Sequence, residues 1–264
     1  MNYSDGSSQI NAMSTPLQVP SWKRALDVAL IILALPVALP VAAVIGAVIE
    51  LVSPGPILFR QERVGLGARR FMCLKFRTMR VHAETATHQG HLKELMESNT
   101  PMLKLDGRDS RIIPFGILLR SSGLDELPQL INVLIGDMSL VGPRPCLPYE
   151  SAAYQPWQME RFNTLPGLTG LWQVTGKNKT TFNQMMELDI KYSREKTLWL
   201  DLSIILKTPV VIIGQVLESA QRKGGGTPGI TTATQAGGRA GFGVGGINRI
   251  SSDGQRGKLE TQVN

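Results

Sequence analysis

The longest apolar stretch of the chain, "VALIILALPVALPVAAVIGAVI" at residues 28–49, carries no charge and is bounded by Asp27 and Glu50. About 20 apolar residues suffice for a helix to cross a bilayer, so the pattern predicts a membrane helix. Pro36 and Pro40 lie inside it; each removes a backbone hydrogen bond and crowds the preceding turn, which predicts a kink. Basic residues flank both ends, Lys23 and Arg24 before the run and Arg60, Arg63, Arg69 and Arg70 after it. The positive-inside tendency then asks for both ends on the same side. A bent, re-entrant helical hairpin over about residues 25–52 meets both constraints; a kinked ordinary span is the alternative.

After the apolar run the periodicity changes. "ILFRQERVG" and "RRFMCLKFRTM" are short strand-like runs joined by "GLGA", the pattern of a β-hairpin. "RIIPFGILLRSSG" reads as an amphipathic segment ending in Arg120. In "LDELPQLINVLIGDM", residues Leu124, Leu127, Leu130, Ile131, Val133 and Leu134 recur at helical spacing, which puts Asp125 and Glu126 in a helix's first turn. Residues 182–220 show two further helical patterns. The second, 198–218, is very apolar and contains Trp199, which suits burial or a helix lying in a membrane interface. The predicted fold class is therefore α+β: a mostly helical, membrane-associated domain with a re-entrant N-terminal helix hairpin and a short β-hairpin. Polar residues 1–21 read as a flexible leader and residues 22–219 as the folded unit. The Gly-rich, basic residues 220–264 read as a disordered tail that buries too little apolar surface to offset its ordering entropy.

Composition adds limits. The 264 residues carry a formal charge of +7, compatible with anionic lipid, phosphorylated substrates or nucleic acid. Two cysteines, Cys73 and Cys146, are too few for a disulfide framework and have no zinc-like spacing, so they read as reduced. His88 and His91 stand at i and i+3 without a convincing third ligand, and the segment 82–98 reads as a mobile, solvated helix or loop.

Three groups of residues carry candidate chemistry. The adjacent carboxylates Asp125 and Glu126 suit a helix N-terminus, where acidic side chains complement the dipole, or a reactive site. Pro143 and Pro145 bracket Arg144, so its guanidinium is delivered from a stiff loop suited to clamping a phosphate; a structural turn with an exposed arginine is the plainer reading. Lys75 and Arg77 on the second predicted strand offer a phosphate-facing surface or a solvated face. "LPGLTGLWQVTGKN", with Gln173 and Lys177, is punctuated by glycine in a way that suits close approach by a ligand, although Trp172 alone more often belongs to a core.

Taken in order, "KRALD", the apolar run with Pro40, "RVG", "KFRTM", "LLRSSGLDELPQLINVLIGDMSLVGPRP", "PGLTGLWQV" and "LWLDLSIILKT" resemble the monotopic bacterial sugar transferases, the polyprenyl-phosphate phosphoglycosyl transferases. The likeness runs from about residue 22 to 210. It implies a re-entrant helix broken at Pro40, with Pro36 as a second break, in the cytoplasmic leaflet of the bacterial inner membrane. It implies transfer of a sugar-1-phosphate from a UDP-sugar to polyprenyl phosphate, with Mg2+ and release of UMP. By the same resemblance Asp125 is the nucleophile and Glu126 its partner, both beside the metal. Arg144, Arg120, Lys75 and Arg77 are the phosphate-binding candidates, and Gln173 and Lys177 line the nucleotide and sugar region.

Gly123 stands where many relatives have Ser or Thr, and "GKN" replaces a commoner Gly-Arg pair. The chain lacks the multi-span N-terminal region of larger relatives and so reads as a minimal catalytic form. Expected partners are the UDP-sugar, the polyprenyl phosphate, the bilayer and a second copy of the chain; no nucleic acid is expected, because no binding module is recognisable. The rival reading is a non-enzymatic membrane-surface scaffold for polysaccharide assembly, which leaves Asp125, Glu126 and Arg144 as coincidences.

Overall fold

The computed structural model describes residues 17–80, 111–176 and 180–224. The segment with His82, His88 and His91, the loop residue Lys177, most of the predicted leader and most of the tail lie outside these residues.

The first helix, α1 (Ser21–Val52), is a single 32-residue element that stays helical through Pro36 and Pro40; no loop divides it into two arms. Its buried positions fall into two groups. Lys23, Asp27 and Ile31 recur every four residues and so share one face near the N-terminus, and Ile45, Gly46 and Ile49 do so near the C-terminus. Between them Ile32, Leu33, Val37, Leu39 and Val44 are exposed. Polar contacts fasten the N-terminal end. Lys23 Nζ donates to Val141 O, Tyr192 Oη and Asp201 Oδ2 at 2.8, 2.8 and 2.6 Å. Asp27 Oδ1 accepts from Ser139 Oγ and the Leu140 amide at 3.0 and 2.9 Å. The C-terminal end packs instead with Phe76, Ile113 and Leu119.

β1 (Leu58–Val64) and β2 (Arg70–Phe76) form the expected antiparallel hairpin, from Leu58 opposite Phe76 to Val64 opposite Arg70. Its turn holds Gly67 at φ 60 and Ala68 at φ 58. Then follow α2 (Gly116–Ser122), a 3-10 turn (Leu124–Glu126) and α3 (Gln129–Ile135). Gly123 joins α2 to the turn at φ 72, a left-handed conformation that glycine adopts without penalty. Residue 123 therefore terminates α2, which explains glycine there better than a capping role does.

Asn132, in the middle of α3, fixes that helix to the hairpin. Its Oδ1 accepts from the Leu74 amide at 3.0 Å, and its Nδ2 donates to Met72 O at 2.8 Å, so one buried side chain satisfies the edge of β2. Arg24 of α1 reaches the far end of α3, donating to Val133 O and Leu134 O at 2.7 and 3.1 Å.

β3 (Ser139–Val141) and β4 (Gly167–Thr169) pair in parallel, Ser139 with Gly167 and Val141 with Thr169. The connection contains α4 (Pro148–Ala152) and a 3-10 helix (Pro156–Asn163). Gly142, Gly167 and Gly170 are needed here. A Cβ on Gly142 would meet the backbone of Leu165 and Gly167, one on Gly167 the backbone of Gly142, and one on Gly170 the carbonyl of Gly142, all under 3.0 Å. The Gly-punctuated segment thus admits a neighbouring backbone, where the sequence suggested a ligand.

α5 (Leu171–Gly176), α6 (Phe182–Glu195) and α7 (Leu198–Gly224) complete the described chain. Trp172 is core, with Phe182, Met185 and Met186. α7 continues through Pro209 and extends to Gly224, past the predicted start of the tail. Its Asp201 and Ile204 are buried, while Trp199 (78% exposed), Leu206, Val210, Ile213 and Leu217 form an apolar stripe along the opposite side. Among the described residues α1 and α7 are the helices long and apolar enough to cross a membrane, with only 11% of each apolar window buried.

Candidate active site

The Asp-Glu pair sits on a 3-10 turn one step ahead of α3, a small correction to the expectation that it occupies the first helical turn. Pro128, the N-cap residue of α3, has no amide hydrogen to donate backwards, so the backbone before it is free to take the tighter turn. Both carboxylates remain half-buried. Because Asn132 ties α3 to the edge of β2, the turn is carried alongside that strand. Lys75 Nζ of β2 donates to Glu126 Oε1 at 2.7 Å.

Cys73 lies two residues before Lys75, on the same face of β2 and fully buried. Burial pushes its thiol pKa up, and the charges of Lys75, Arg63, Glu126 and Arg144 all act on it. Of these four groups, Lys75 and Glu126 are in direct contact, and Arg63 and Arg144 act on the thiol through space. Three of the four are cations, and the carboxylate belongs to the predicted reactive pair.

Arg144 is exposed, between buried Pro143 and Pro145. Arg63, on β1, is buried; its Nη1 donates to Pro145 O at 3.0 Å and its Nη2 to Gln61 Oε1 at 2.7 Å. Burial lowers the Arg63 pKa, and the neighbouring positive charge of Arg144 lowers it further. Two guanidiniums held this close raise the local positive potential, which suits a polyanion. Behind the loop Arg161 pairs with Asp189 at 2.6 Å, both about 2% exposed. Burial holds the Asp189 carboxyl up at about 6 against the opposing pull of Arg161.

The predicted residues do not all gather at one point. Lys75 and Glu126 meet at 2.7 Å beside Asp125, Arg120 stands in the last turn of α2 five residues before Asp125, and Arg144 projects from the separate loop between Pro143 and Pro145. Arg77 does not serve as predicted in this structure. Its buried guanidinium donates to Ser53 Oγ at 3.2 Å, to Pro54 O at 3.4 Å and to Ser53 O. It clamps the backbone just after α1, so its donors are turned to protein carbonyls instead of a phosphate. Gln173 Nε2 donates to Leu168 O at 3.1 Å, while its buried Oε1 has no partner among the described residues.

The sequence marks Arg63 only as one of the basic residues that flank the apolar run, and it gives Arg161 and Asp189 no role. Arg63 could have been singled out by its place beside Val64 in the "RVG" match. Arg161 and Asp189 are 28 residues apart and meet only through the fold.

Residues 19–215 match the model of the bacterial sugar transferase family. The chain belongs to that family. Among curated members of the bacterial sugar transferases, it is 39% identical over 201 residues to the UDP-glucose:undecaprenyl-phosphate glucose-1-phosphate transferase of Xanthomonas campestris pv. campestris, covering 73% of this chain and 39% of that one. It is 44% identical over 165 residues to the galactosyl transferase CpsE of Streptococcus agalactiae serotype III, covering 61% and 35% respectively. It is 35% identical over 201 residues to the exopolysaccharide production protein ExoY of Sinorhizobium fredii, covering 73% of this chain and 86% of that protein. The match thus spans under two fifths of the first two relatives and most of the third.

Proposed function

We propose that this bacterial sugar transferase moves a sugar-1-phosphate from a UDP-sugar to polyprenyl phosphate through a covalent aspartyl intermediate. The observations that carry this reading are the Lys75 ammonium 2.7 Å from Glu126 of the Asp125–Glu126 turn and the exposed guanidinium of Arg144, whose loop is held by Arg63. A carboxylate does not approach a pyrophosphate unless cations offset the repulsion. In the first step Asp125 Oδ attacks the β-phosphorus. The bond from that phosphorus to the bridging oxygen breaks, and UMP leaves with the electron pair. In the second step an oxygen of the polyprenyl phosphate attacks the same phosphorus, and the acyl-phosphate P–O bond breaks to restore the Asp125 carboxylate. Splitting the transfer this way replaces one difficult displacement by two easier ones.

Arg144 binds the donor phosphates, bidentate geometry being the strength of a guanidinium. Lys75 holds the Glu126 carboxylate in place. Two adjacent carboxylates also fit Mg2+, which binds through one or two carboxylates and substrate phosphates; bound there, it supplies further neutralisation of the pyrophosphate.

The acceptor is a lipid, so the site must lie at a bilayer surface. The apolar face that α1 exposes at Ile32, Leu33, Val37, Leu39 and Val44, its two internal prolines, and the packing of its other face against the protein from Ile31 to Ile49 support a helix that enters the membrane without crossing it. The basic flanks favour the cytoplasmic face of the inner membrane. The exopolysaccharide role in the name of the Sinorhizobium relative supports placing the reaction at the lipid-linked start of a surface glycan.

The test is intact-protein mass after brief exposure to a panel of UDP-sugars with Mg2+ and no acceptor, for wild type and Asp125→Asn. A sugar-phosphate increment with UMP release in wild type alone supports the reading and names the sugar. UMP release by Asp125→Asn at the wild-type rate removes Asp125 as nucleophile, and no adduct or UMP with any donor favours the scaffold.

A further inference from the structure

Arg144 projects from a stretch in which four consecutive carbonyls are all engaged. Pro143 O accepts from the Gly167 amide at 2.9 Å, and Cys146 O from the Val64 amide at 2.9 Å. Between them Arg144 O accepts from Arg161 Nη2 at 2.7 Å and Pro145 O from Arg63 Nη1 at 3.0 Å. Residues 143–145 lie in no helix or strand, so regular structure does not supply these partners. Pro143 and Pro145 fix their own φ angles and have no amide hydrogens. The inner two carbonyls are held by buried guanidiniums brought from distant parts of the chain.

Arg161 is the more strongly held of the two. Its Nη2 reaches Asp189 Oδ2 at 2.6 Å as well as Arg144 O, and its Nη1 donates to Tyr154 Oη at 2.7 Å. The guanidinium carbon lies 5.6 Å from the centre of the Tyr154 ring and 5.9 Å from that of Phe162. A guanidinium is a planar fork with fixed donor directions. Contacts to Asp189 and Tyr154 fix that plane, and with it the direction of the bond to Arg144 O. The Asp189 carboxylate also balances the Arg161 charge, leaving the positive charge of exposed Arg144 for a ligand.

We infer that Arg161, oriented by Asp189, is a positioning residue for Arg144: it fixes the backbone carbonyl of the residue whose side chain binds phosphate, and does not itself touch substrate. The functional half of this inference rests on the proposed role of Arg144; the structural half does not. Lysine is a poor replacement for Arg161, because a flexible point charge cannot reach Asp189, Tyr154 and the Arg144 carbonyl in one plane.

The experiment uses the full chain in detergent micelles. It compares wild type, Arg161→Lys, Asp189→Asn, Arg144→Ala and the Arg161→Lys/Arg144→Ala double variant, with tryptophan-fluorescence melting to confirm folding. Hydrogen exchange is read at the Gly167 and Val64 amides, which donate to Pro143 O and Cys146 O on either side of the two held carbonyls, and affinity is read by titration with UDP. Arg161→Lys is expected to speed exchange at both amides tenfold or more and to weaken UDP binding tenfold or more. In the Arg144→Ala background the same substitution is expected to weaken UDP binding less than twofold, because the residue it acts through is gone. Unchanged exchange at these amides, or the same loss of affinity in both backgrounds, overturns the inference. A merely structural role would give equal losses. If Arg161→Lys does not fold, Asp189→Asn, which keeps the side-chain shape, takes the same tests with an expected threefold effect. A wild type that binds no UDP counts against the proposed function, whereas the exchange rates still decide whether Arg161 holds the loop.

Discussion

Replacing Gly142 by alanine tests whether the loop carrying Arg144 depends on backbones in direct contact. A Cβ at residue 142 would lie under 3.0 Å from the Leu165 carbonyl oxygen and the Gly167 amide nitrogen, atoms of a paired backbone with no flexible end to move aside. The two segments must separate, and the bonds nearest the clash are Gly142 N–H to Thr169 O at 2.8 Å and Gly167 N–H to Pro143 O at 2.9 Å. Leaving a buried backbone group unpaired costs about 1–3 kcal/mol, so losing both bonds predicts roughly 2–6 kcal/mol. At about 2–4 °C per kcal/mol for a domain of this size, melting should fall by roughly 4–24 °C. The assay is tryptophan-fluorescence melting in one detergent, with UMP release measured below the variant's melting point. Gly214→Ala is the control: nothing lies within 4 Å of its new Cβ, and alanine in a helix interior gains about 0.5–1 kcal/mol over glycine. If Gly142→Ala melts within 2 °C of wild type, the close contact is not structural and the reasoning fails.

Two further substitutions address the seams that hold the site to its supports. Asp201→Ala strands the fully buried Lys23 without its counter-charge; breaking a buried pair by removing one partner costs about 3–5 kcal/mol, and urea titration should show it, a loss below 1 kcal/mol refuting the role. Asn132→Leu leaves the Leu74 amide and Met72 carbonyl unpaired, an expected loss of about 2–6 kcal/mol, with faster exchange at the Leu74 amide as the specific sign. An unchanged Leu74 rate would mean the edge of β2 is held by something else.

Much of this architecture was legible because local pattern decides it. The β-hairpin follows from alternation and a Gly-containing turn, and α3, α6 and α7 from helical spacing. The expectations that shifted concern what a polar or small residue faces. Charge alone does not separate Lys75, whose ammonium meets Glu126, from Arg77, whose guanidinium clamps the backbone after α1. Likewise Gly142, Gly167 and Gly170 signal a close approach, but the sequence does not say whether a ligand or a neighbouring strand approaches. Arg161 and Asp189 left no pattern at all, because their partnership is made by the packing of the 3-10 helix against α6.

The way α1 is fastened connects that helix to the loop carrying Arg144. Its Lys23 and Asp27 do not pair with each other; they grip β3, through Val141 O, the Leu140 amide and Ser139 Oγ. Arg144 follows Val141 by three residues, so no more than about 10 Å of extended chain separates the two. That short span is itself rigid: Gly142 is in contact with β4, and the carbonyls of residues 143 and 144 are both held. A movement of the N-terminal end of α1 is therefore passed to the backbone of Arg144 with little slack. With α1 in a bilayer and Arg144 binding phosphate, both as proposed, the same polar contacts that bury Lys23 and Asp27 would set the height of that arginine above the membrane. This gives a reason for charged residues at the buried face of an otherwise apolar helix, where packing alone would favour leucine.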